Sequence, residues 1–235
     1  MKLAYAIPWA SPFIFSETVD SLLNLAKPLD YETRFFRGQG WCSAGRHNDI
    51  CKRSLAWGAD LICILGPDQV YPEDLLPRLV QRIKEGADVI SAYVPVRGIC
   101  EGQDMLPFER MAWKVVEGKL GQVRPAGESV QRIDVIGSGV LMFKADALPR
   151  LKKPWFSEII KDEDYTRRPN DDTRFVWRLS HDLGLGVYVD PTIKVKHLNI
   201  FQIDETYSDR FKDWPGVQAE KIELKVREEC NELKV

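Results

Sequence analysis

No stretch of the 235-residue chain approaches the ~20 consecutive apolar residues that cross a bilayer. The first residues, Met1-Lys2-Leu3-Ala4-Tyr5, have neither the apolar centre nor the cleavage site of a secretory leader. The five cysteines (42, 51, 63, 100 and 230) are odd in number and form no C-x-x-C pair. Cys51 falls in a predicted helix and Cys63 in a predicted strand, so they read as buried thiols in a reducing cytosol. Charge of neither sign prevails: 33 Lys and Arg stand against 35 Asp and Glu, a net of −2. That argues against a strongly electrostatic nucleic-acid binder and leaves room only for a local basic patch. Internal repeats and low-complexity linkers are missing too. The expectation is a cytoplasmic protein with no membrane partner.

What is present is an ordinary core-forming composition, 44% hydrophobic and 29% charged, in a length that fits one large domain or two small ones. The chain centres on Leu61-Ile-Cys-Ile-Leu65, five apolar residues that read as a strand buried on both faces. Gly66-Pro67 breaks that strand, Asp68 follows, and the Pro72-Glu73-Asp74 run predicts a helix start near Pro72. A carboxylate is thereby placed at the carboxyl end of a central strand, where ligands bind in open α/β sheets. The plainer alternative for Asp68 is a turn or cap residue.

Upstream, strands are predicted over 3–7 and 31–37, and helices over 16–26 and 44–57. Downstream, Leu75, Leu76, Leu79, Val80 and Ile83 form a helical stripe that stops at Gly86, and 88–94 is another strand. Strands alternating with helices imply βαβ units and a mostly parallel sheet with helices on both faces. Residues 96–130 read as a hairpin or excursion. A strand resumes over 133–143 around Gly137-Ser138-Gly139, and a short helix covers 145–151. A polar loop with Arg167-Arg168 occupies 157–170. Asp171 and Asp172 open a helix reaching Leu183, and short strands lie at 186–189 and 192–196, with His197 next.

The order of these landmarks resembles the nucleotide-sugar glycosyltransferases of the GT-A fold, close to the broad family-2-like set. Ala4 to Pro8 is similar to the first strand, which ends under the nucleotide base. Arg46-His47-Asn48 looks like the Arg-Asn helix start of many members. Leu61–Asp68 occupies the place of the strand that ends in a D-x-D motif, with Gly66 standing where the first carboxylate is expected. Ile136 to Met142 is similar to the glycine-containing strand beside the donor sugar. Asp171-Asp172-Thr-Arg-Phe175 looks like the helix start that carries the catalytic acid pair, and Val195-Lys-His197 like the strand whose His reaches the metal.

The resemblance implies a single α/β GT-A domain over 1–200, with a nucleotide-binding half at 1–95 and an acceptor half at 96–200. Residues 201–235 would be a C-terminal extension packing on it. It implies a transferase taking a sugar from a nucleotide diphosphate sugar, a UDP-sugar first, to an acceptor hydroxyl. Mn²⁺ or Mg²⁺ would be held by Asp68 and His197, and the nitrogen ligand leans towards Mn²⁺. Donor contacts would come from Pro8, Trp9, Arg46, Asn48, Gly66, Pro67, Gly137, Ser138 and Gly139. Asp172 would act as base if configuration inverts, with Asp171 capping the helix or holding acceptor. Both acids also suit a helix start with no catalytic role. The acceptor is open; compact transferases resembling this one occur in bacteria and in phages, so a modified DNA base, reached in a host cytoplasm, is one candidate. Gly66 motivates the competing expectation, a sugar-nucleotide-binding module without turnover. Nucleotidyl transfer is disfavoured, because Ile7-Pro8-Trp9-Ala10 stands where a Gly-rich phosphate loop with Lys would follow the first strand.

Overall fold

The structure is a computed structural model that describes residues 1–9, 14–95, 112–116, 119–123, 125, 127–157 and 171–198. Arg167, Arg168 and the 201–235 extension lie outside the described residues. Strand β1 (Lys2–Ile7) leads to helix α1 (Ser16–Leu23), then β2 (Glu32–Arg37), α2 (Ser43–Trp57), β3 (Leu61–Leu65) and β4 (Gln69–Val70). Next come α3 (Leu75–Lys84), β5 (Val89–Tyr93), β6 (Ala112–Val116), β7 (Lys119–Val123), β8 (Gln131–Ile133), β9 (Val135–Ile136) and β10 (Val140–Lys144). A 3-10 turn (Ala145–Arg150), α4 (Asp171–His181), β11 (Val187–Lys194) and β12 (Lys196–His197) complete the described chain. No helix among the described residues is long and apolar enough to cross a membrane.

A seven-stranded sheet in the order β2-β1-β3-β10-β5-β11-β8 organises these elements. β2, β1 and β3 pair in parallel, as do β5 and β11, while β10 runs antiparallel between β3 and β5, and β8 antiparallel beside β11. The sheet is thus mostly parallel, as expected. Every residue of β3 is at most 2% exposed, which explains its unbroken apolar run. Its side chains alternate between two cores: Ile62 and Ile64 join one with α2 and α4, and Leu61, Cys63 and Leu65 join the other with α3. Burying a Leu or Ile fully is worth about 1.5–3 kcal/mol, so this strand anchors both helical layers.

Local signals account for most boundaries. Cys42 caps α2 by accepting the Gly45 N–H at its Sγ, and Gly58 ends it in the left-handed region at φ 78°. The departures have tertiary causes. Helix α3 begins at Leu75, not near Pro72, because Gln69 and Val70 are drawn into a two-stranded pairing with β12. The expected strand over 133–143 is three strands: β8 pairs with β11 in the main sheet, β9 pairs with β6 in a separate three-stranded sheet, and β10 returns to the main sheet. The turn at 145–150 is 3-10, with Pro149 inside it. The two short strands around Asp190-Pro191 are one strand, β11, whose register with β5 shifts between Asp190 and Lys194.

Asp190 holds that irregular strand in place. Its carboxylate is fully buried and accepts from Arg82 Nε at 2.9 Å and from the Thr192 N–H at 2.9 Å, and from the Thr192 hydroxyl as well. Burial by itself would raise its pKa; the Thr192 and Arg82 hydrogen bonds more than reverse this and hold it below the usual value. A folded-state value below the unfolded ~3.9 means that this stabilisation is present above about pH 4 and is lost as pH falls through the folded value. Asp190→Ala is expected to cost about 2–4 kcal/mol, lowering Tm by roughly 4–16 °C at pH 7. Thermal melts from pH 7 to pH 3 check it: the gap between wild type and variant narrows towards the acid end.

Candidate active site

The residues singled out from sequence converge on one edge of the sheet. β1, β2, β3 and β5 end there, and β10, being antiparallel, begins there. Ile7 accepts from Trp9 N–H and from Gly38 N–H, both at 2.9 Å, which turns Pro8 and Trp9 across the end of β1 beside the end of β2. Gly66 donates its N–H to the Gly139 carbonyl at 2.7 Å. Gly66-Pro67-Asp68 therefore lies directly against Gly137-Ser138-Gly139.

Asp68 and His197 meet. Asp68 Oδ2 and His197 Nε2 are 3.3 Å apart, although 129 positions separate them in the chain. β4 and β12 bring this about by pairing Gln69 with His197 and Val70 with Lys196, and Leu198 N–H donates to the Asp68 carbonyl at 2.8 Å. His197 Nδ1 lies 2.8 Å from the Pro95 carbonyl, which accepts its proton. Nε2 is then the ring nitrogen that faces Asp68, the arrangement in which a backbone carbonyl orients a metal-binding imidazole. Two cis ligands on an octahedral cation with bonds of ~2.1 Å stand ~3.0 Å apart, close to the observed separation. This donor set suits a divalent cation that takes its other oxygens from a ligand and water. Among the described residues, no group of three or more His, Cys, Asp or Glu that could hold a metal ion gathers.

Gly66 has a local explanation. A Cβ there would lie 2.6 Å from Gln69 Nε2, and a Cβ on Gly139 would lie 2.5 Å from the same atom. The Gln69 carboxamide thus fills the slot between the two glycines. It is 2% exposed, and its Oε1 has no hydrogen-bond partner among the described residues. A carboxylate at position 66 has no room while Gln69 stays where it is. Tyr71 closes the turn from behind, its hydroxyl donating to the Gly66 carbonyl. Burial first, and the nearby Asp68 second, push that phenol well above its usual value, so it remains a donor.

The acid pair divides its work. Asp172 Oδ2 accepts from Ser138 N–H at 2.8 Å and from Ser138 Oγ at 3.0 Å, and Oδ1 accepts from Thr173 N–H at 2.7 Å. A carboxylate offers about four lone-pair sites, and three of these are taken among the described residues. Asp171 instead turns inward: it is 6% exposed, and its Oδ2 is 2.9 Å from His47 Nδ1. Asn48 spends its amide on backbone, donating to the Ala44 and Phe156 carbonyls and accepting from Trp155 and Phe156 N–H. It thereby fixes the 155–156 segment. Arg46 donates from Nη1 to the Gly40 carbonyl at 3.2 Å, while its Nε and Trp9 Nε1 are buried without partners among the described residues. These two unsatisfied donors belong to the same strand-end region and suit an acceptor-rich ligand.

Sequence reasoning overlooked Gln69, the Pro95 carbonyl and the His47–Asp171 contact. A two-residue strand gives no periodic signal, a backbone carbonyl none at all, and His47 and Asp171 are 124 positions apart.

Compared by sequence, the chain matches no protein-family model and no curated protein. Solved structures do match. A197 from STIV superposes at TM-score 0.50 with 15% identity, over 88% of this chain and 99% of that one. S. aureus TarS 1-349, solved in complex with UDP-GlcNAc, gives 0.52 at 13% identity, over 86% of this chain and 60% of that one. The fold is GT-A. GalNAc-T7 with UDP, GalNAc and Mn²⁺ matches at 0.50 and 14% identity, over 86% of this chain. This GT-A chain spans 60% of the TarS chain and 44% of the GalNAc-T7 chain.

The glycine slot is open to a direct test. Gly66→Ala is expected to cost about 1 kcal/mol, because the buried Gln69 carboxamide must shift out of the slot to make room. Adding Gln69→Ala should recover most of that loss. Denaturant unfolding of both single variants and the double checks it; additive losses would mean that the two sites do not share the space.

Proposed function

We propose that this chain is a glycosyltransferase that uses a divalent cation, Mn²⁺ before Mg²⁺, to move a sugar from a nucleotide diphosphate sugar, UDP-linked first, to an acceptor hydroxyl. The observation that carries the reading is the meeting of Asp68 and His197 beside the Gly137–Gly139 turn, with Asp172 hydrogen-bonded to that turn. The GT-A fold, the UDP-GlcNAc complex of TarS and the UDP, GalNAc and Mn²⁺ found with GalNAc-T7 agree with it.

In this reading Asp68 and His197 hold the cation, which when bound neutralises charge on the diphosphate. Trp9 and Arg46 offer their unsatisfied donors to the nucleotide end, and Pro8 shapes the floor. Gly66, Pro67, Gly137 and Gly139 leave backbone close to the donor, and Ser138 orients Asp172. For an inverting transfer, Asp172 takes the proton of the acceptor hydroxyl as its oxygen bonds the anomeric carbon. The anomeric C–O bond breaks and its electron pair stays on the departing diphosphate. Asp171 keeps to its buried partner and has no contact with acceptor.

A second reading is favoured by one observation. Gly66 and the Gln69 amide replace a carboxylate with a neutral group, which suits a module that binds sugar nucleotides without turnover. Incubation with a panel of nucleotide sugars and Mn²⁺, following nucleoside diphosphate release, separates the two. Release that is abolished by chelation, and reduced at least about 100-fold by Asp68→Ala or Asp172→Asn, is expected. Binding without release, across all acceptors offered, would leave the module reading standing. Hydroxymethylated duplex DNA belongs in the acceptor panel: salt-dependent binding would support a DNA acceptor, and none at low salt would remove it.

A further inference from the structure

His47 takes no part in the reaction as written, yet it is built into the support of the acid pair. It lies near the start of α2, 3% exposed, with Nδ1 2.9 Å from Asp171 Oδ2 and 3.4 Å from Ser43 Oγ. Its ring stacks on Phe156 at 4.5 Å and 13°, and Phe156 stacks on Phe175 of α4 at 4.1 Å and 25°. The neighbouring Asn48 holds the backbone of Trp155 and Phe156 at three points: its Nδ2 is 2.7 Å from the Phe156 carbonyl, and its Oδ1 is 3.0 Å from Trp155 N and 3.2 Å from Phe156 N. One turn of α2 therefore fixes both the 155–156 segment and the first residue of α4.

We propose that His47 is a positioning residue: by donating its Nδ1–H to Asp171 it sets the depth and rotation of the first turn of α4, and so the place of Asp172 against Ser138. The proposal rests on the reading of Asp172 as the base. The path is short. Asp171 and Asp172 share a peptide bond; Asp171 is drawn inward to α2, and Asp172 is thereby left facing Ser138, from which it accepts two hydrogen bonds. Burial would favour a neutral Asp171, and the His47 and Ser43 hydrogen bonds more than reverse this and keep it ionised. A buried carboxylate without its donor is costly, so removing His47 drives the helix start towards water or towards protonation. Either change moves Asp172.

Three variants test the proposal. His47→Phe keeps a ring on Phe156 and deletes the donor; His47→Gln keeps a donor; Asp171→Asn removes the charge. His47→Phe is expected to lower kcat about 10- to 100-fold, the range lost when an orienting partner is removed, with donor KM within about twofold. His47→Gln should recover most of kcat. Amide hydrogen exchange supplies a readout independent of turnover: Ser138 N–H, bonded to Asp172, should exchange faster in His47→Phe, while the amides of β1 and β3 keep their protection. Unchanged kcat and unchanged Ser138 exchange in a folded His47→Phe would overturn the proposal, as would a loss that His47→Gln shares in full. If the wild-type chain releases no nucleotide from any donor, the proposed function fails by itself, and Ser138 exchange still decides whether His47 sets the position of Asp172.

Discussion

Gly66 gives its N–H to the carbonyl of Gly139, and the geometry of the sheet's carboxyl edge depends on that contact. It exists because β10 runs antiparallel between β3 and β5. A parallel strand in that place would end at this edge; an antiparallel one begins here, so the turn that feeds it, Gly137-Ser138-Gly139, is delivered beside Asp68. The same insertion keeps β3 buried on both sides, since β10 covers one edge of it and β1 the other. A stiff, fully buried strand is a good base for a ligand site, because its end has little freedom to move.

Two glycines and one amide then shape the surface. With no Cβ at 66 or 139, the backbones approach closely and the Gln69 carboxamide occupies the gap. The consequence is electrostatic as well as steric. In the proposed reading, a site that has one carboxylate and one imidazole carries less negative charge than one with two carboxylates, so more of a cation's affinity would come from the phosphates of a donor. His197 suits that reading: its Nδ1 is committed to the Pro95 carbonyl, and its Nε2 is turned to Asp68.

The acid pair shows how adjacent residues acquire opposite surroundings. At a helix start successive side chains diverge by about 100°, so one residue can face the interior and the next the cleft. Asp171 takes the interior, where His47 and Ser43 stabilise its charge. Asp172 takes the cleft, where Ser138 holds one oxygen in place. The helix macrodipole favours both charges.

The alternation of strands and helices, the buried central strand and the position of Asp68 at a strand end were all legible in the residues, because periodicity and glycine or proline breaks act over a few neighbours. Of the 96–130 stretch, read as hairpin or excursion, the described strands β6 and β7 pair antiparallel as a hairpin. The order of the pieces that meet at the carboxyl edge of the sheet was legible as well. Contact was not legible. The split of 133–143 into strands of two different sheets, the short β4–β12 pairing that shifted the start of α3 to Leu75, the use of Asn48 as a clamp on Trp155 and Phe156, and the pairing of His47 with Asp171 all depend on residues far apart in the chain. Local pattern states which face of an element is apolar; which polar atoms then find one another is decided only when those faces pack, since a buried hydrogen bond is set by distances of a few tenths of an ångström that no spacing in the sequence encodes.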